Sequence, residues 1–319
     1  MRAVKTVPLV LGAVLLGVLV YRVGAEPILE TLRRLAWWRF ALVCLPYAVI
    51  MAADTLGWRF AFARDRAPFW RLYGARLAGE ALNVVTAVGA VGGEVAKAWL
   101  VRRDVTYEES VPSIVIAKTS ITLAQALFLL GGLGLAWRTL PAGADLSRAM
   151  MWLLVVEVLA VGGFVGVQVS GLVARGGRLL KTFGIIADTA YAETLDRALR
   201  DYYRTQWRRF SLSLGFHLVG WLLGALDVVV ILWALGVSIP LATATVIEAL
   251  GSGVRFATFF VPASVGPSEA ANPAAFAALG FGAAAGLAFS FVRRARQVIW
   301  IVIGLAVLVL MRRSDARAA

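Results

Sequence analysis

Long apolar segments separated by short polar stretches dominate the pattern of this chain. A helix needs about 20 predominantly apolar residues to cross the hydrocarbon core of a bilayer. The segments close to that length are 6–23, 39–62, 111–136, 149–170, 210–236 and 297–311. The pattern predicts an all-α, polytopic integral membrane protein with about six full spans, in which residues 1–319 form a single transmembrane domain.

Two further regions are apolar but interrupted. Residues 72–103 and 241–292 carry glycine, proline and charge where a plain span would carry only apolar side chains. The breaks read Gly92-Gly93-Glu94 in the first region and Gly266-Pro267-Ser268-Glu269 in the second. A break inside the bilayer exposes backbone N–H and C=O groups that need protein, water or a ligand as partners. We therefore predict two broken helical hairpins, either re-entrant or spanning.

The two hairpins resemble each other. Both contain Glu-Ala-Leu, at Glu80 and Glu248, and both carry a polar stripe with i, i+4, i+7 spacing on one helical face. The stripes are Arg76, Glu80 and Asn83 in the first hairpin and Glu248, Ser252 and Arg255 in the second. Paired arginines follow each, Arg102-Arg103 and Arg293-Arg294. The likeness predicts an inverted repeat; chance is the alternative, because glycine is frequent in membrane helices.

Discontinuous helices in two halves of opposite orientation are typical of transporter sites. The N-terminus of the helix after each break offers free N–H groups and the positive end of the helix dipole, which suit an anionic headgroup. Glu94 and Glu269 lie at these helix starts. Two roles are open for each of them: a cap for its own helix, or a carboxylate that couples transport to an ion.

Residues 172–209 are basic and amphipathic. Leu195, Leu199 and Tyr202 fall on one helical face, while arginines occupy the other positions. This arrangement predicts an interfacial helix on the membrane surface. Residues 28–38 predict a shorter interfacial helix on the other side.

Composition and charge set the environment and the orientation. The chain is 60% hydrophobic and carries a net charge of +13, whereas soluble domains are about 45–50% apolar. Excess Lys and Arg collect in cytoplasmic loops, so we expect a bacterial cytoplasmic (inner) membrane protein with both termini cytoplasmic. Arg293, Arg294 and Arg296 count against this scheme, because it puts them outside. Nucleic acid is not an expected partner, since no basic stretch belongs to a soluble domain.

The N-terminal segment has two interpretations. Val23-Gly24-Ala25 weakly resembles a signal-peptidase site. We expect the first helix to be retained, because the rest of the chain is embedded in the membrane anyway.

Charged residues inside predicted spans need partners, because a charge at the bilayer centre costs about 2.5–3.5 kcal/mol on the mildest scale. Lys118, Glu157 and Asp227 are such residues. Lys118 and Glu157 can pair with each other, or either can pair with a charge of a hairpin. Asp54 is expected at the interface, and His217 is expected to make a packing or polar contact.

The chain has one cysteine, Cys44, and one histidine. A disulfide framework and a metal centre built from Cys or His clusters are therefore excluded. We expect no cofactor. No nucleotide-binding motif is present, so energy for transport would come from a gradient or from downstream consumption of the product.

The stretches Gly79–Arg103, Glu109–Leu123 and Phe260–Leu305 resemble the lysylphosphatidylglycerol synthase transmembrane domain family. Among its stand-alone members, the chain is similar to those associated with hopanoid biosynthesis. The resemblance covers nearly the whole chain and implies a flippase-like domain that translocates lipid rather than one that synthesises aminoacyl lipid. The family's motif positions match Gly93-Glu94, Gly266 with Glu269, and Arg293 or Arg294. Ser268 stands where the family often has Gln.

The expected function is that of a flippase or lipid transporter, and not that of an enzyme. It would move an amphipathic lipid between leaflets, either anionic, aminoacylated or of an isoprenoid type such as a hopanoid. The residues expected to bind substrate or couple transport are Glu80, Asn83, Gly92, Gly93, Glu94, Lys118, Glu248, Arg255, Gly266, Glu269 and Arg293. Expected partners are the membrane lipid and enzymes of lipid biosynthesis.

Three alternatives stay open. An intramembrane lipid-headgroup transferase would use Glu94 or Glu269 as its general base. A small-solute or ion transporter would use the same buried charges for a water-soluble substrate. A structural partner of lipid-synthesis enzymes would tolerate neutralisation of those charges.

Overall fold

The computed structural model describes residues 36–85, 90–140, 144–170, 172, 190–261 and 264–317. The predicted first span 6–23 and the candidate cleavage site Val23-Gly24-Ala25 lie outside these ranges. So do most of the predicted short interfacial helix 28–38 and residues 173–189 of the amphipathic stretch.

The secondary structure of the described ranges is helical. The helices are α1 (Trp37–Ala61), α2 (Phe69–Val85), α3 (Ala90–Val101), α4 (Tyr107–Thr139), α5 (Asp145–Val169), α6 (Ala190–Thr205), α7 (Trp207–Ala234), α8 (Leu241–Ala257), α9 (Pro267–Ala278) and α10 (Ala283–Arg317). Within those ranges α1, α4, α5, α7 and α10 are long and apolar enough to cross a membrane. The prediction of an all-α polytopic membrane protein is confirmed.

The last span begins earlier than the sequence predicts. α10 starts at Ala283, whereas the apolar pattern places the span at 297–311. The prediction is wrong because Arg293, Arg294 and Arg296 interrupt the apolar pattern without interrupting the helix. Each of them pairs with a carboxylate of another helix. The second hairpin accordingly ends at Ala278, and these arginines do not lie in an external loop.

Helices α1 and α7 pack antiparallel and share the most extensive contact between any two described helices. Trp38, at the start of α1, lies edge-to-face against Trp233, near the end of α7, with ring centroids 6.1 Å apart. At the other end of the pair, Phe60 stacks on Phe216 with centroids 5.5 Å apart. The two helices therefore run in opposite directions across the protein.

The chain from α7 to α10 repeats the chain from α1 to α4. The first set has helices of 25, 17, 12 and 33 residues, and the second has helices of 28, 17, 12 and 35 residues. Because α1 and α7 are antiparallel, the second set is inverted with respect to the first. The two sets also pack across each other: α2 of the first set packs against α10 of the second, and α8 of the second packs against α4 of the first.

Close backbone approach allows this packing. A β-carbon on Gly304 of α10 would overlap the carbonyl oxygen of Leu77 in α2. A β-carbon on Gly132 of α4 would overlap Ala249 in α8. Small residues at such positions let membrane helices pack closely, so each half supplies the wall against which the other half's short helices rest.

The pairs α2–α3 and α8–α9, called here the first and second half-helix pairs, each return to the end of the protein from which they start. Arg71 near the start of α2 contacts Asp104 just after α3 at 3.1 Å. At the opposite end, Leu235 after α7, Ala244 in α8, Phe276 in α9 and Phe289 in α10 share one apolar cluster. Both pairs are therefore re-entrant in shape, and they come from opposite ends.

Helix α6 covers only part of the predicted amphipathic stretch 172–209, since α7 already begins at Trp207. Leu199 and Tyr202 form its buried side. The Tyr202 hydroxyl donates to the Phe60 carbonyl oxygen at 2.7 Å. Burial raises the pKa of Tyr202 above its ordinary value, so the hydroxyl stays protonated and can donate. α6 thus lies across the end of α1.

One end of the protein is strongly basic and is called here the basic end. Contacts between its segments show that they lie together: Arg66 with Glu109 at 3.6 Å, Arg71 with Asp104, Arg209 with Asp65 at 2.5 Å, and Arg312 over the Trp99 ring. The connection between α1 and α2, the end of α3, the start of α7 and the end of α10 all meet there.

Candidate functional site

A cavity of about 850 Å³ lies between the two halves and is called here the central cavity. Eight helices contribute to its lining: α1, α2, α4, α5, α7, α8, α9 and α10. The lining includes charged residues from both half-helix pairs. The part that α5 contributes is apolar and consists of Val156, Ala160, Val161 and Phe164.

Glu248 of α8 lines the cavity and is only 2% exposed. Arg255, on the same helix, donates to it at 2.7 Å, and Arg293 of α10 approaches its other oxygen at 2.7 Å. Both arginines also line the central cavity. Two cations on one carboxylate leave this cluster with one positive charge in excess.

Glu269 ties the second break to α10. Its carboxylate accepts from the Gly266 N–H at 2.7 Å and from Arg294 Nε at 2.7 Å. Gly266 has φ 94°, a conformation that favours glycine because it has no β-carbon. Glu269 therefore caps its own helix, as one of its two predicted roles requires, and also forms an ion pair at the cavity.

Glu94 holds a comparable place at the first break. Lys97 Nζ lies 2.5 Å from its carboxylate, and Lys118 Nζ of α4 lies 3.8 Å from it. Glu94 lines a smaller pocket of about 40 Å³ rather than the central cavity itself. Lys118 and Glu80 line both the smaller pocket and the central cavity, so the pocket and the cavity are adjacent.

The remaining predicted residues support the backbone. Asn83 Oδ1 accepts from the Gly93 N–H at 2.8 Å, which holds α3 against α2. A β-carbon on Gly93 would overlap the carbonyl oxygen of Gly79 and the Asn83 amide. Gly92 is half-buried. The lining of the central cavity includes Glu80, Lys118, Glu248, Arg255, Glu269 and Arg293, but not Asn83, Gly92, Gly93, Glu94 or Gly266.

Two further ion pairs line the cavity that sequence reasoning did not find. Asp54 of α1 is buried and lies 2.9 Å from Arg76 and 3.1 Å from Nδ1 of His217. Asp227 of α7 pairs with Arg296 of α10. Asp54 is therefore buried between helices, where Arg76 and His217 compensate its charge.

The charges of the two halves correspond by position. Lys118 and Arg294 stand at the same place counted from the first residues of α4 and α10, and each approaches the glutamate that follows a break. Arg76 and Glu248 likewise share a position in α2 and α8, with opposite charge. The two halves therefore use one framework to present different charges.

Glu157 of α5 is buried, and neither of its carboxylate oxygens has a hydrogen-bond partner among the residues that the structure describes. Lys118 approaches Glu94 instead, so of the two pairings left open for Lys118 the structure has the one with a hairpin charge. Glu157 is not part of the cavity lining.

Two inverted half-helix pairs that line a charged cavity, together with the apolar helices around them, define a polytopic membrane protein. The sequence pattern of the family described as "Lysylphosphatidylglycerol synthase TM region" matches residues 6–306, and the chain belongs to that family. Comparison with curated proteins and with solved structures gave no match. Family membership indicates a membrane lipid-related role.

Proposed function

We propose that this protein is a lipid transporter that moves an amphipathic lipid between the two leaflets. The observation that carries the proposal is the central cavity, whose lining combines charges from both inverted half-helix pairs with apolar side chains of α5. A lipid has the same two-sided chemistry, because its headgroup needs polar partners while its tails need apolar surface. Discontinuous helices of opposite orientation commonly hold the substrate in transporters.

The charged lining residues would hold the headgroup, and the tails would stay in lipid beyond α5. α5 is little covered by other helices, and its Val155, Val158 and Leu159, which do not line the cavity, are exposed. Phe259 and Phe260, just after α8, are exposed as well. Opening of the two half-helix pairs in turn would give access first to one leaflet and then to the other.

The cavity favours a headgroup with a negative group. Its acidic lining residues are Asp54, Glu80, Asp227, Glu248 and Glu269. Its basic lining residues are Arg76, Lys118, Arg255, Arg293, Arg294 and Arg296. The Lys118 side chain is 49% exposed and is held only loosely by Glu94, so it is the cation most able to meet a phosphate. This supports an anionic or aminoacylated phospholipid over a hopanoid.

We also propose a bacterial cytoplasmic membrane location with the basic end and the C-terminus cytoplasmic. The positive-inside rule counts arginine and lysine near the ends of spans, and those residues gather at the basic end. The internal arginines of α10 do not count, since they pair with carboxylates within the protein. The N-terminus is placed on the same side on the strength of Arg2 and Lys5 in the sequence.

The transferase alternative has less support. A general base must direct a lone pair at the substrate proton, whereas Glu269 directs its oxygens at Gly266 and Arg294. Glu94 is likewise engaged by Lys97 and Lys118. We therefore propose transport without covalent chemistry, with the lipid as substrate and enzymes of lipid synthesis as its suppliers.

A leaflet assay tests the proposal. The purified protein is reconstituted in liposomes that contain fluorescent phosphatidylglycerol, phosphatidylcholine or a sterol-like lipid, and dithionite reports the amount in the outer leaflet. We expect fastest movement of phosphatidylglycerol, reduced in Glu248→Gln and Glu269→Gln. Asp145→Asn is the matched control, because its side chain is 94% exposed and lies outside the cavity.

Three outcomes would overturn the proposal. Equal rates in protein-containing and protein-free liposomes exclude transport of these lipids. A chemically altered lipid recovered from the assay supports the transferase. Uptake of a water-soluble compound without lipid movement supports a solute transporter.

A further inference from the structure

Glu157 lies half way along α5 and its side chain is 0% exposed. Neither of its oxygens has a hydrogen-bond partner, and among the described residues no ion pair includes it. Of its neighbours in sequence, Val158 is exposed on the outside of the helix, whereas Val156 lines the central cavity. An acidic side chain is thus buried in the middle of the apolar stretch 149–167.

Several charged groups on the helices packed against α5 are engaged elsewhere. They include Lys118 of α4 with Glu94, Glu248 of α8 with Arg255 and Arg293, and Asp196 of α6 with Arg200. Tyr203 of α6 bonds to Gln168, near the end of α5. These contacts leave Glu157 without a counter-charge in the part of the protein that the structure describes.

The packing of α5 places Glu157 between α4 and the central cavity. Met150 and Gln168 share its buried stripe, and both contact α4, at Gly132 and at Thr119 respectively. Val161, one turn after Glu157, lies on the same stripe and lines the cavity. A small movement of α5 would therefore bring the carboxyl group into the cavity.

An ionised carboxylate without hydrogen bonds or a counter-ion is strongly disfavoured in a low-dielectric interior. The neutral acid is the form that fits the surroundings of Glu157. Ionisable groups inside membrane proteins often mark proton relays. A carboxyl group that is neutral when buried and ionised when it meets cavity water takes up and releases one proton as α5 moves.

We propose that Glu157 is a proton-binding site, protonated in this conformation, which exchanges its proton with the central cavity and so couples proton movement to lipid movement. The proton site rests on the geometry of α5 alone. The coupling rests on the proposed transport function. No covalent chemistry is involved beyond transfer of the proton between the carboxyl group and water.

Infrared spectroscopy tests the proton site without any transport assay. The full chain in liposomes at pH 7 should show the C=O stretching band of a protonated carboxylic acid, and Glu157→Gln should lose it. Asp145→Asn, which removes an exposed carboxylate, should leave the band unchanged. If Glu157→Gln fails to fold on gel filtration, Glu157→Asp takes its place and should shift the band. An identical band in wild type and in a folded variant overturns the site.

An imposed pH gradient tests the coupling. In the leaflet assay with fluorescent phosphatidylglycerol, the gradient should change the wild-type rate several-fold, and Glu157→Gln should move lipid at one rate with or without it. A wild-type rate that is the same with and without the gradient overturns the coupling. If no lipid moves but the infrared band depends on Glu157, the transport function and the coupling are overturned. The proton site is then still supported.

Discussion

Arg294 donates to Glu269 at 2.7 Å, and this contact fastens the second half-helix pair to α10. The same carboxylate accepts from the Gly266 N–H, so it fixes the start of α9 and the position of α9 together. In the first half, Lys118 and Glu94 have the corresponding places but are 3.8 Å apart. The second break is therefore tied to α10 more closely than the first break is tied to α4.

This difference predicts unequal effects on stability. Arg294→Gln should lower the free energy of unfolding by about 1.5–3 kcal/mol, the range for hydrogen bonds to charged groups, because Glu269 stays buried. Lys118→Gln should cost less than about 1 kcal/mol, since the lysine is half exposed. Unfolding in detergent followed by tryptophan fluorescence measures both, and equal losses would contradict the asymmetry.

Gly93 predicts a steric effect at the first break. Alanine there would place a β-carbon on the Gly79 carbonyl oxygen and the Asn83 amide. Overpacking of this kind costs about 1–3 kcal/mol, so Gly93→Ala should be less stable than wild type. Gly166→Ala is the control, because a β-carbon there meets nothing within 4 Å. A Gly93→Ala protein as stable as Gly166→Ala would show that the two helices are not in close contact.

The polar stripes could be predicted from spacing, because side chains at i, i+4 and i+7 share one face of any helix. The register between the halves could not be taken from the shared Glu-Ala-Leu. By position in their helices, Glu248 corresponds to Arg76 and not to Glu80, a shift of one helical turn. Because Arg76 and Glu248 differ in charge, an alignment based on identical residues places the two halves in the wrong register.

Ion-pair partners were beyond sequence reasoning. Asp54 and Arg76 lie on different helices, and so do Asp227 and Arg296. Pairing across helices depends on which helices pack, and no local pattern encodes the packing of α2 and α8 against helices of the other half. Unknown ion-pair partners also explain why the predicted start of α10 is too late. Without a carboxylate partner, an arginine in the sequence indicates the end of a membrane span.

The buried triad of Asp54, Arg76 and His217 gives a further prediction. Asp54→Asn leaves the almost wholly buried Arg76 without its main counter-ion. Removal of one partner from a buried ion pair costs about 3–5 kcal/mol, so this variant should unfold at clearly lower temperature. Asp145→Asn breaks only an exposed pair with Arg148 and should cost less than about 1 kcal/mol. Similar melting temperatures for the two variants would argue against a buried triad.

Tyr202 gives a prediction that depends on pH. Its hydrogen bond to the Phe60 carbonyl is worth about 0.5–1.5 kcal/mol, and Tyr202→Phe should lose it. Burial raises the pKa of Tyr202 above its ordinary value, so the folded protein favours the protonated form. The difference between wild type and Tyr202→Phe should therefore be constant below about pH 10, the unfolded value, and shrink as the pH rises above it. A difference that grows with pH would contradict the buried donor.

The position of the internal arginines predicts a labelling pattern. In a Cys44→Ala background, cysteines at Arg66 and Arg313 should react with an impermeant maleimide from one side of the membrane, since both lie at the basic end. A cysteine at Arg138, after most of α4, should react from the other side. Ala295 lies among the paired arginines but faces outward from α10, so its cysteine should meet lipid and react from neither side. Labelling of position 295 from the side of Arg138 would show that this segment lies in an external loop. It would then support the shorter last span, 297–311, that the apolar pattern predicts.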